Sequence, residues 1–487
     1  MYHFPDILVY LCLFESGCFF GYYGKYAYVY DNLWTHWCAV LGGIIVVALA
    51  GGLTLRKYMQ RQYSYDHFYV IFYGLICFVI SACFMLTDNL DICFYFGFIG
   101  IGTTLIPCYS YISIRSSSGG LRPARLALGN TLYFGGFTVG FSIFNEFEAL
   151  YCGWIYMGIT LFMLAGVVIN EILQYFGLYD YKVSYDVALN LLNEEKLVFM
   201  PNKSIYALFM GRNDFFVTRN RQWLVVGFAA ILVLERALIY SSSYLQLAWS
   251  STFGYMGTQY LYGPCLLYTL GCAVGCILMV FYKPKLVYLM FGAIKITALS
   301  AILGVYVDNS TENCFYFLCF YYICIGVYSS VAFQLVLECT PLLYTELALA
   351  VAFAIELLVL EVLKYETKAD DAWHELLGIG IFNILLTLVS IVLVLIFMPR
   401  SRGLIDMRNK LMGINRKKAV TAPQIGPWNT HFFMYHDLQP DDVKCVKLDG
   451  NRVYQQYPKE SEDKVELPNV CERLPSIGSA KGTFYGE

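Results

Sequence analysis

Five ionisable residues lie near the middle of long apolar segments: Glu15, Glu235, Arg236, Lys295 and Glu356. An ionisable side chain at the centre of a bilayer costs on the order of 3 kcal/mol on insertion scales, so each needs a partner, a water-filled cavity or a function. The acids outnumber the bases by one, which favours a cavity for cationic solutes. Neighbouring helical residues diverge by about 100°, so Glu235 and Arg236 cannot both face that cavity.

Each of these residues also has a structural interpretation, and both interpretations stay open from the sequence. We expect Lys295 to pair with Glu356 or Glu235, and the alternative is a substrate or proton role. Arg236 either pairs with a neighbouring acid or faces the solute. Glu356 lies close to the middle of its segment, where a carboxylate demands a proton or a cation, so we expect it to line the cavity.

Neutral polar, aromatic and small residues complete the candidate site. We expect Tyr240 and Tyr244 to form an aromatic wall that offers cation–π contacts to the solute. Gln334 is a candidate substrate ligand, although Gln334 and Asn130 are also typical of hydrogen bonds between helices. Glycines in the apolar segments are expected to allow close helix packing, and they are Gly97, Gly100, Gly102, Gly135, Gly136, Gly140, Gly271 and Gly275.

Several other chemistries are not expected. The 6 histidines lie at segment edges or in the tail, so no nucleophile–base pair is predicted on one inner face, and the chain is not predicted to be an enzyme. Most of the 17 cysteines lie inside apolar runs without metal-like spacing to histidines, which predicts free thiols and no metal or other cofactor. A net charge of −3 and the lack of a basic face argue against a nucleic-acid partner.

The segments that carry these residues are long enough to cross a membrane. With 58% hydrophobic and 14% charged residues, the composition predicts a membrane protein. Apolar runs of about 20 residues indicate transmembrane helices. We predict an all-α membrane protein with about twelve spans, at residues 5–24, 33–55, 67–87, 92–114, 126–145, 149–173, 222–246, 257–282, 285–306, 314–337, 344–365 and 374–398.

A long polar run separates six spans from six. It predicts an N-terminal six-helix bundle (1–173), a cytoplasmic linker with an amphipathic helix (174–221), a C-terminal six-helix bundle (222–398) and a cytoplasmic tail (399–487). In the linker, Val187, Leu189, Leu191 and Leu192 lie among acids and amides, which suits a surface helix. The tail begins with a basic collar that suits anionic lipids, and beyond it the composition predicts disorder.

Charge asymmetry predicts the orientation. If the N-terminus is cytoplasmic, the short inner loops carry more Lys and Arg than the outer loops, so both termini are expected inside the cell. The sequon Asn309-Ser-Thr311 then lies outside, which makes Asn309 a candidate for glycosylation. We expect a monomer in the plasma membrane.

Four segments stand at regular positions relative to these spans. Asp186-Val-Ala-Leu-Asn-Leu-Leu192 follows the sixth span, Leu337-Glu338-Cys-Thr-Pro341 follows the tenth, and Pro399-Arg-Ser-Arg-Gly403 follows the twelfth. The fifth span holds Arg125 and Phe137-Thr-Val-Gly140. Together these patterns resemble the major facilitator superfamily, in its organic-ion (solute carrier 22) and sugar-porter branch. The loop after span two keeps Arg56 of the family's signature, but Leu55 and Tyr58 replace its Asp and Gly.

The resemblance implies two six-helix repeats around a central cavity. It implies that Glu15 and one of Glu235 and Arg236 lie near the substrate path, that Glu356 is close to an acidic substrate-site position, and that Arg56, Arg125, Lys295 and Glu338 are gating or structural charges. The predicted function is secondary-active or facilitative transport of small organic solutes, with organic cations favoured and a coupled proton or other ion possible. The alternatives are a carrier of uncharged, sugar-type solutes and a transport-inactive receptor or scaffold of the same fold.

Overall fold

A computed structural model of the chain describes residues 4–29, 33–59, 67–115, 121–142, 149–175, 258–307, 311–339, 344–366, 372–397, 445–449 and 452–456. The chain divides into two compact units, Met1–Arg408 and Asn409–Glu487. The described helices are α1 (Phe4–Val29), α2 (Leu33–Met59), α3 (His67–Leu86), α4 (Leu90–Arg115), α5 (Arg122–Ser142), α6 (Ala149–Tyr175), α7 (Thr258–Phe281), α8 (Pro284–Val307), α9 (Thr311–Cys339), α10 (Thr345–Glu366) and α11 (Ala372–Phe397).

Each described helix overlaps one predicted span. Within the part of the chain that the structure describes, six stretches could cross a membrane by length and composition: Phe4–Tyr23, Trp37–Arg56, His67–Leu86, Leu90–Arg115, Leu150–Leu173 and Pro284–Gly304. Shorter apolar stretches lie in α7, α9 and α11. The predicted span 222–246 and the predicted linker helix lie outside the described residues, so the count of twelve spans and the domain limits stay predictions.

The helices of the first unit pack in a pattern that occurs twice. In the first half (α1–α6), α4 packs on α2 and α3, and α3 packs on α6. In the second half (α7–α11), α9 packs on α7 and α8, and α8 packs on α11. This correspondence pairs α2 with α7, α3 with α8, α4 with α9 and α6 with α11. Among the described helices α1 has no counterpart, and the repeat agrees with the internal duplication that the sequence predicts.

Small residues let α1 and α5 approach closely. Gly17 and Gly21 on α1 face Gly136 and Gly140 on α5, and each helix thereby has a Gly-x-x-x-Gly spacing. A Cβ atom at any of these positions would overlap a backbone carbonyl group of the facing helix. Close backbone contact through small residues is a common source of helix association in membranes. The predicted close-packing role is confirmed for Gly136 and Gly140.

A buried arginine joins the end of α4 to the start of α5. Arg122 is fully buried. Its guanidinium group donates hydrogen bonds to the Ser113 carbonyl oxygen at 2.7 Å and to the Ser113 hydroxyl at 3.0 Å. A cation is favourable near the C-terminus of a helix, where carbonyl groups lack intrahelical partners.

The second unit contains an element that the sequence did not predict. Strands β1 (Cys445–Asp449) and β2 (Arg452–Gln456) pair antiparallel, with Cys445 opposite Gln456 and Asp449 opposite Arg452. The remainder of the tail lies outside the described residues, so its predicted disorder is untested.

Candidate functional site

The two halves of the first unit meet along two main helix pairs. Helix α5 packs on α7, and α2 packs on α10. The repeat relates one pair to the other. By chain order α5 corresponds to α10, and α2 corresponds to α7, so the α5–α7 contact is the counterpart of the α2–α10 contact. Smaller contacts join α5 to α9 and α4 to α10. Polar side chains on these helices are therefore placed where a relative movement of the halves would break and form contacts.

One buried polar cluster joins α3, α4 and α10, and we call His67, Ser110 and Glu346 the terminal junction. All three residues are buried. The Ser110 hydroxyl donates to Glu346 Oε1 at 2.8 Å, and His67 Nε2 lies 3.2 Å from the same hydroxyl. Glu346 lies in the first turn of α10, where the helix dipole favours a negative charge. The Ser110–Glu346 hydrogen bond thus joins the first half to the second near the helix ends.

The terminal junction contains a hydroxyl beside an imidazole, but its geometry does not suit nucleophilic catalysis. In such catalysis the hydroxyl donates its proton to the imidazole base. Here the Ser110 hydroxyl donates to Glu346, so the His67 ring nitrogen is placed to donate to the Ser110 oxygen. The arrangement is that of a structural hydrogen-bond chain.

A second cluster lies deeper between the halves, and we call Asn130, Cys272 and Ser330 the middle junction. Asn130 on α5 donates through Nδ2 to the Ser330 hydroxyl on α9 at 3.2 Å and lies 3.7 Å from the Cys272 sulfur on α7. All three side chains are buried. The interpretation of Asn130 as a hydrogen bonder between helices is confirmed.

Further contacts follow the α5–α7 pair. The hydroxyls of Thr138 and Thr269 lie 2.8 Å apart, and each lies 3.1 Å from a carbonyl oxygen of the opposite helix, so one hydroxyl donates to the other and the second donates to its carbonyl oxygen. The Cys276 thiol donates to the Ala124 carbonyl oxygen at 3.3 Å. Gly271 on α7 lies against Gly326 and the Ile323 carbonyl group on α9, which confirms its predicted packing role. The polar contacts of this interface are neutral.

Glu15 lies inside the first half. Its carboxylate is buried, and Thr160 of α6 donates to its Oε1 atom at 2.5 Å. The Phe19 ring, one turn along α1, packs edge to face on Tyr156 of the same α6 helix. This side of α1 is thus directed to α6, and the place of Glu15 near a substrate path stays a prediction.

Gln334 and Glu356 are buried on helices that contact the first half. Gln334 lies on α9, four residues after Ser330, so it shares that residue's side of the helix. Glu356 is 4% exposed on α10. The nearby residue Ala354 packs on Gly43 of α2. Their predicted roles as substrate ligands stay predictions.

Lys295 lies inside the second half among α8, α9 and α11. Its Nζ atom donates to the Thr387 hydroxyl at 2.9 Å and lies 4.8 Å above the Tyr328 ring. Tyr328 donates in turn to the Tyr288 hydroxyl at 2.6 Å, and Tyr288 donates to Ser390. Hydroxyl and cation–π contacts thus stabilise this buried ammonium group. The expected pairing with Glu356 or Glu235 stays a prediction.

The remaining predicted residues are distributed as follows. Arg56 is exposed near the end of α2, and Arg125 is exposed in the first turn of α5. Glu338 lies in α9, and its side chain is outside the described part. Glu235, Arg236, Tyr240, Tyr244 and Asn309 also lie outside the described residues. Each cysteine whose side chain is described is a free thiol, as predicted.

Comparison with known proteins gives a fold but no relative by sequence. No family model matches the chain, and no curated protein matches it. Solved structures of membrane transporters are similar in fold, and three of them serve as examples. The proton:xylose symporter XylE of the major facilitator superfamily, bound to 6-bromo-6-deoxy-D-glucose, is 12% identical, with a TM-score of 0.57 over 80% of this chain and 94% of that chain.

The other two structures belong to the same class of fold. The major facilitator superfamily transporter FucP in the outward conformation is 13% identical, with a TM-score of 0.50 over 81% of this chain and 98% of that chain. The human organic anion transporter MFSD10 (TETRAN) is 12% identical, with a TM-score of 0.52 over 80% and 98%. The predicted all-α major facilitator fold is confirmed, and the chain is a multi-pass membrane protein.

Proposed function

We propose that the chain is a secondary-active or facilitative transporter that moves small organic solutes by alternating access. The observation that carries this proposal is the way its repeated halves meet, through a few buried or half-buried hydrogen bonds on α4, α5, α7, α9 and α10. Such contacts can be exchanged when one half rocks against the other around a site between them.

The terminal junction supplies the latch in this mechanism. A hydrogen bond to a charged group contributes about 1.5–3 kcal/mol. Ser110–Glu346 therefore stabilises the state in which α4 and α10 are in contact, but not by more than a solute can offset through tighter binding to the other state. Opening at this end separates Ser110 from Glu346, while the neutral α5–α7 contacts can slide.

An organic cation is the solute class that we favour. Glu356 provides a buried carboxylate on α10, the helix of the second half that packs on both α2 and α4. In the low dielectric of the membrane, a cationic solute would be attracted strongly to this carboxylate.

An uncharged, sugar-type solute is the second candidate. The neutral groups Asn130, Ser330 and Gln334 favour it, because amides and hydroxyls match the hydrogen-bonding groups of a polyol. The test distinguishes the two candidates by which labelled solute the protein takes up.

The charge pattern of the loops supports the proposed orientation, and the remaining features complete the proposal. Both termini lie in the cytoplasm, the chain acts as a monomer in the plasma membrane, and no enzymatic step is involved. Epitope tags at residue 1 and after residue 420 should bind antibodies only after cells are permeabilised. A tag that is labelled on intact cells would contradict this orientation.

Uptake by proteoliposomes tests the function. Vesicles containing the full chain are offered labelled tetraethylammonium, benzoate or xylose, with and without an inside-negative potential. We expect saturable uptake of tetraethylammonium that the potential accelerates. Saturable xylose uptake that ignores the potential would favour the second candidate. Uptake equal to that of empty vesicles for every class would favour a transport-inactive protein.

A further inference from the structure

A cavity of about 310 Å³ opens between the first turns of α1, the last turns of α4 and the first turns of α5. Its polar lining comprises Asp6 and Tyr10 of α1, Tyr111 and Arg115 of α4, and Arg125 of α5. None of these residues belongs to the terminal or middle junction. The cavity therefore lies within the first half and is separate from both junctions.

The charges of the cavity favour an anion. Tyr111 donates to Asp6 Oδ1 at 3.0 Å, and Arg115 Nε lies 3.9 Å from the same oxygen. Asp6 thus positions both Tyr111 and Arg115 at the cavity. Arg125 adds a second guanidinium group, and its own carbonyl oxygen accepts a hydrogen bond from Tyr10. Two arginines against one aspartate leave a net positive charge.

Exposed apolar side chains continue from the cavity along both neighbouring helices. Ile7 and Leu11 lie one turn apart on α1 and are 55% and 41% exposed. Leu121, just before α5, and Leu128 on α5 are 53% and 38% exposed, and their spacing places them on the same side as Arg125. On the opposite side of α5, Asn130 contacts Ser330 of α9. An exposed apolar stripe on a membrane helix faces acyl chains.

We infer that this cavity is a binding site for an anionic phospholipid. The phosphate lies between the guanidinium groups of Arg115 and Arg125, and an acyl chain lies along Ile7, Leu11 and Leu128. The planar guanidinium group matches phosphate oxygens in pairs, which an ammonium group does not. Because the cavity continues into the apolar stripe, a lipid uses both surfaces, whereas a soluble phosphate uses only the arginines.

Native mass spectrometry of the full chain in detergent tests this site with two lipids. Phosphatidylglycerol and phosphatidylcholine of identical acyl chains are titrated separately, and the bound fraction is measured. We expect tighter binding of phosphatidylglycerol. A basic side chain near an anionic lipid contributes about fivefold in affinity, so Arg125→Gln should weaken phosphatidylglycerol binding by about that factor. Arg125→Lys keeps the charge but not the paired geometry, so it should retain only part of the binding.

Control variants distinguish lipid binding at this cavity from a general effect of positive charge on lipid binding. Lys283→Gln removes an exposed cation between α7 and α8 and should leave phosphatidylglycerol binding unchanged. Leu128→Asn keeps the arginines but interrupts the apolar stripe. It should therefore weaken the binding of phosphatidylglycerol without changing any weak binding of glycerol phosphate. Equal binding of the two lipids, or equal losses in Arg125→Gln and Lys283→Gln, would overturn the proposal. Displacement of the lipid by millimolar glycerol phosphate would identify a soluble-anion site and would also overturn it.

Discussion

The Ser110 hydroxyl donates a 2.8 Å hydrogen bond to the carboxylate of Glu346, although 236 positions separate the two residues. Ser110 lies near the end of α4, and Glu346 lies in the first turn of α10. This contact therefore joins the two halves of the first unit at one end of their interface. If the halves rock, it is among the first contacts to break.

Removing that hydrogen bond should favour the open state of this end. A hydrogen bond to a charged group contributes at least about 1.5 kcal/mol. Its loss should change the ratio of the open to the closed state of this end about tenfold. Genetically encoded spin labels at Arg56 and Lys283, exposed positions in different halves, report the separation. Double electron–electron resonance should give two distance populations, with the longer one increased in Ser110→Ala.

The matched control for Ser110→Ala is Ser16→Ala. The Ser16 hydroxyl is also buried and lies 2.7 Å from that of Thr104, but both residues belong to the first half. Its removal should leave the two distance populations in their wild-type ratio. A single distance that neither substitution changes would argue against rocking of the halves.

Gly17→Ala should destabilise the protein because its new methyl group would overlap the Tyr133 carbonyl oxygen. Overpacking of this kind costs about 1–3 kcal/mol, so the midpoint temperature of unfolding in detergent should fall. Gly158→Ala on α6 is the control, since nothing lies within 4 Å of a Cβ atom there. Alanine's higher helix propensity should make that variant neutral or slightly more stable. Equal midpoints for the two variants would contradict the close α1–α5 contact.

Arg122→Gln should also lower the midpoint temperature of unfolding. It removes the donors that satisfy the Ser113 carbonyl oxygen and hydroxyl, and a buried polar group left without its partner costs about 1–3 kcal/mol. Arg122→Lys should recover only part of the loss, because an ammonium group cannot reproduce the planar fork. The exposed Arg56→Gln serves as control, and an equally large effect there would show that charge alone is responsible.

The sequence predicts the helices well because a bilayer demands about twenty apolar residues for each span. The same physics identified Lys295 and Glu356, since a charge is costly at mid-membrane. It could not supply the Thr387 and Tyr328 contacts of Lys295, because they depend on how α8 packs against α9 and α11.

The residues of the terminal junction escaped prediction for the opposite reason. His67 and Glu346 lie at the start of their helices, near the membrane surface. A charged group costs little free energy there, so the sequence alone gives no reason to single out these residues. Ser110 is one of many serines, and small hydroxyls in membrane helices usually bond to their own helix. Only the approach of α4 to α10 gives the three residues a shared role.

Potential-driven uptake of tetraethylammonium by proteoliposomes, compared between wild type and Glu356→Gln, tests the proposed transport most directly. Glutamine keeps the size of the side chain and removes its charge, so the protein should still fold and insert. We predict saturable uptake by the wild type and a loss of at least tenfold in Glu356→Gln at equal protein content. Wild-type uptake by Glu356→Gln would contradict a cation site at this carboxylate. Loss of folded protein that Lys295→Met restores would instead identify a structural ion pair.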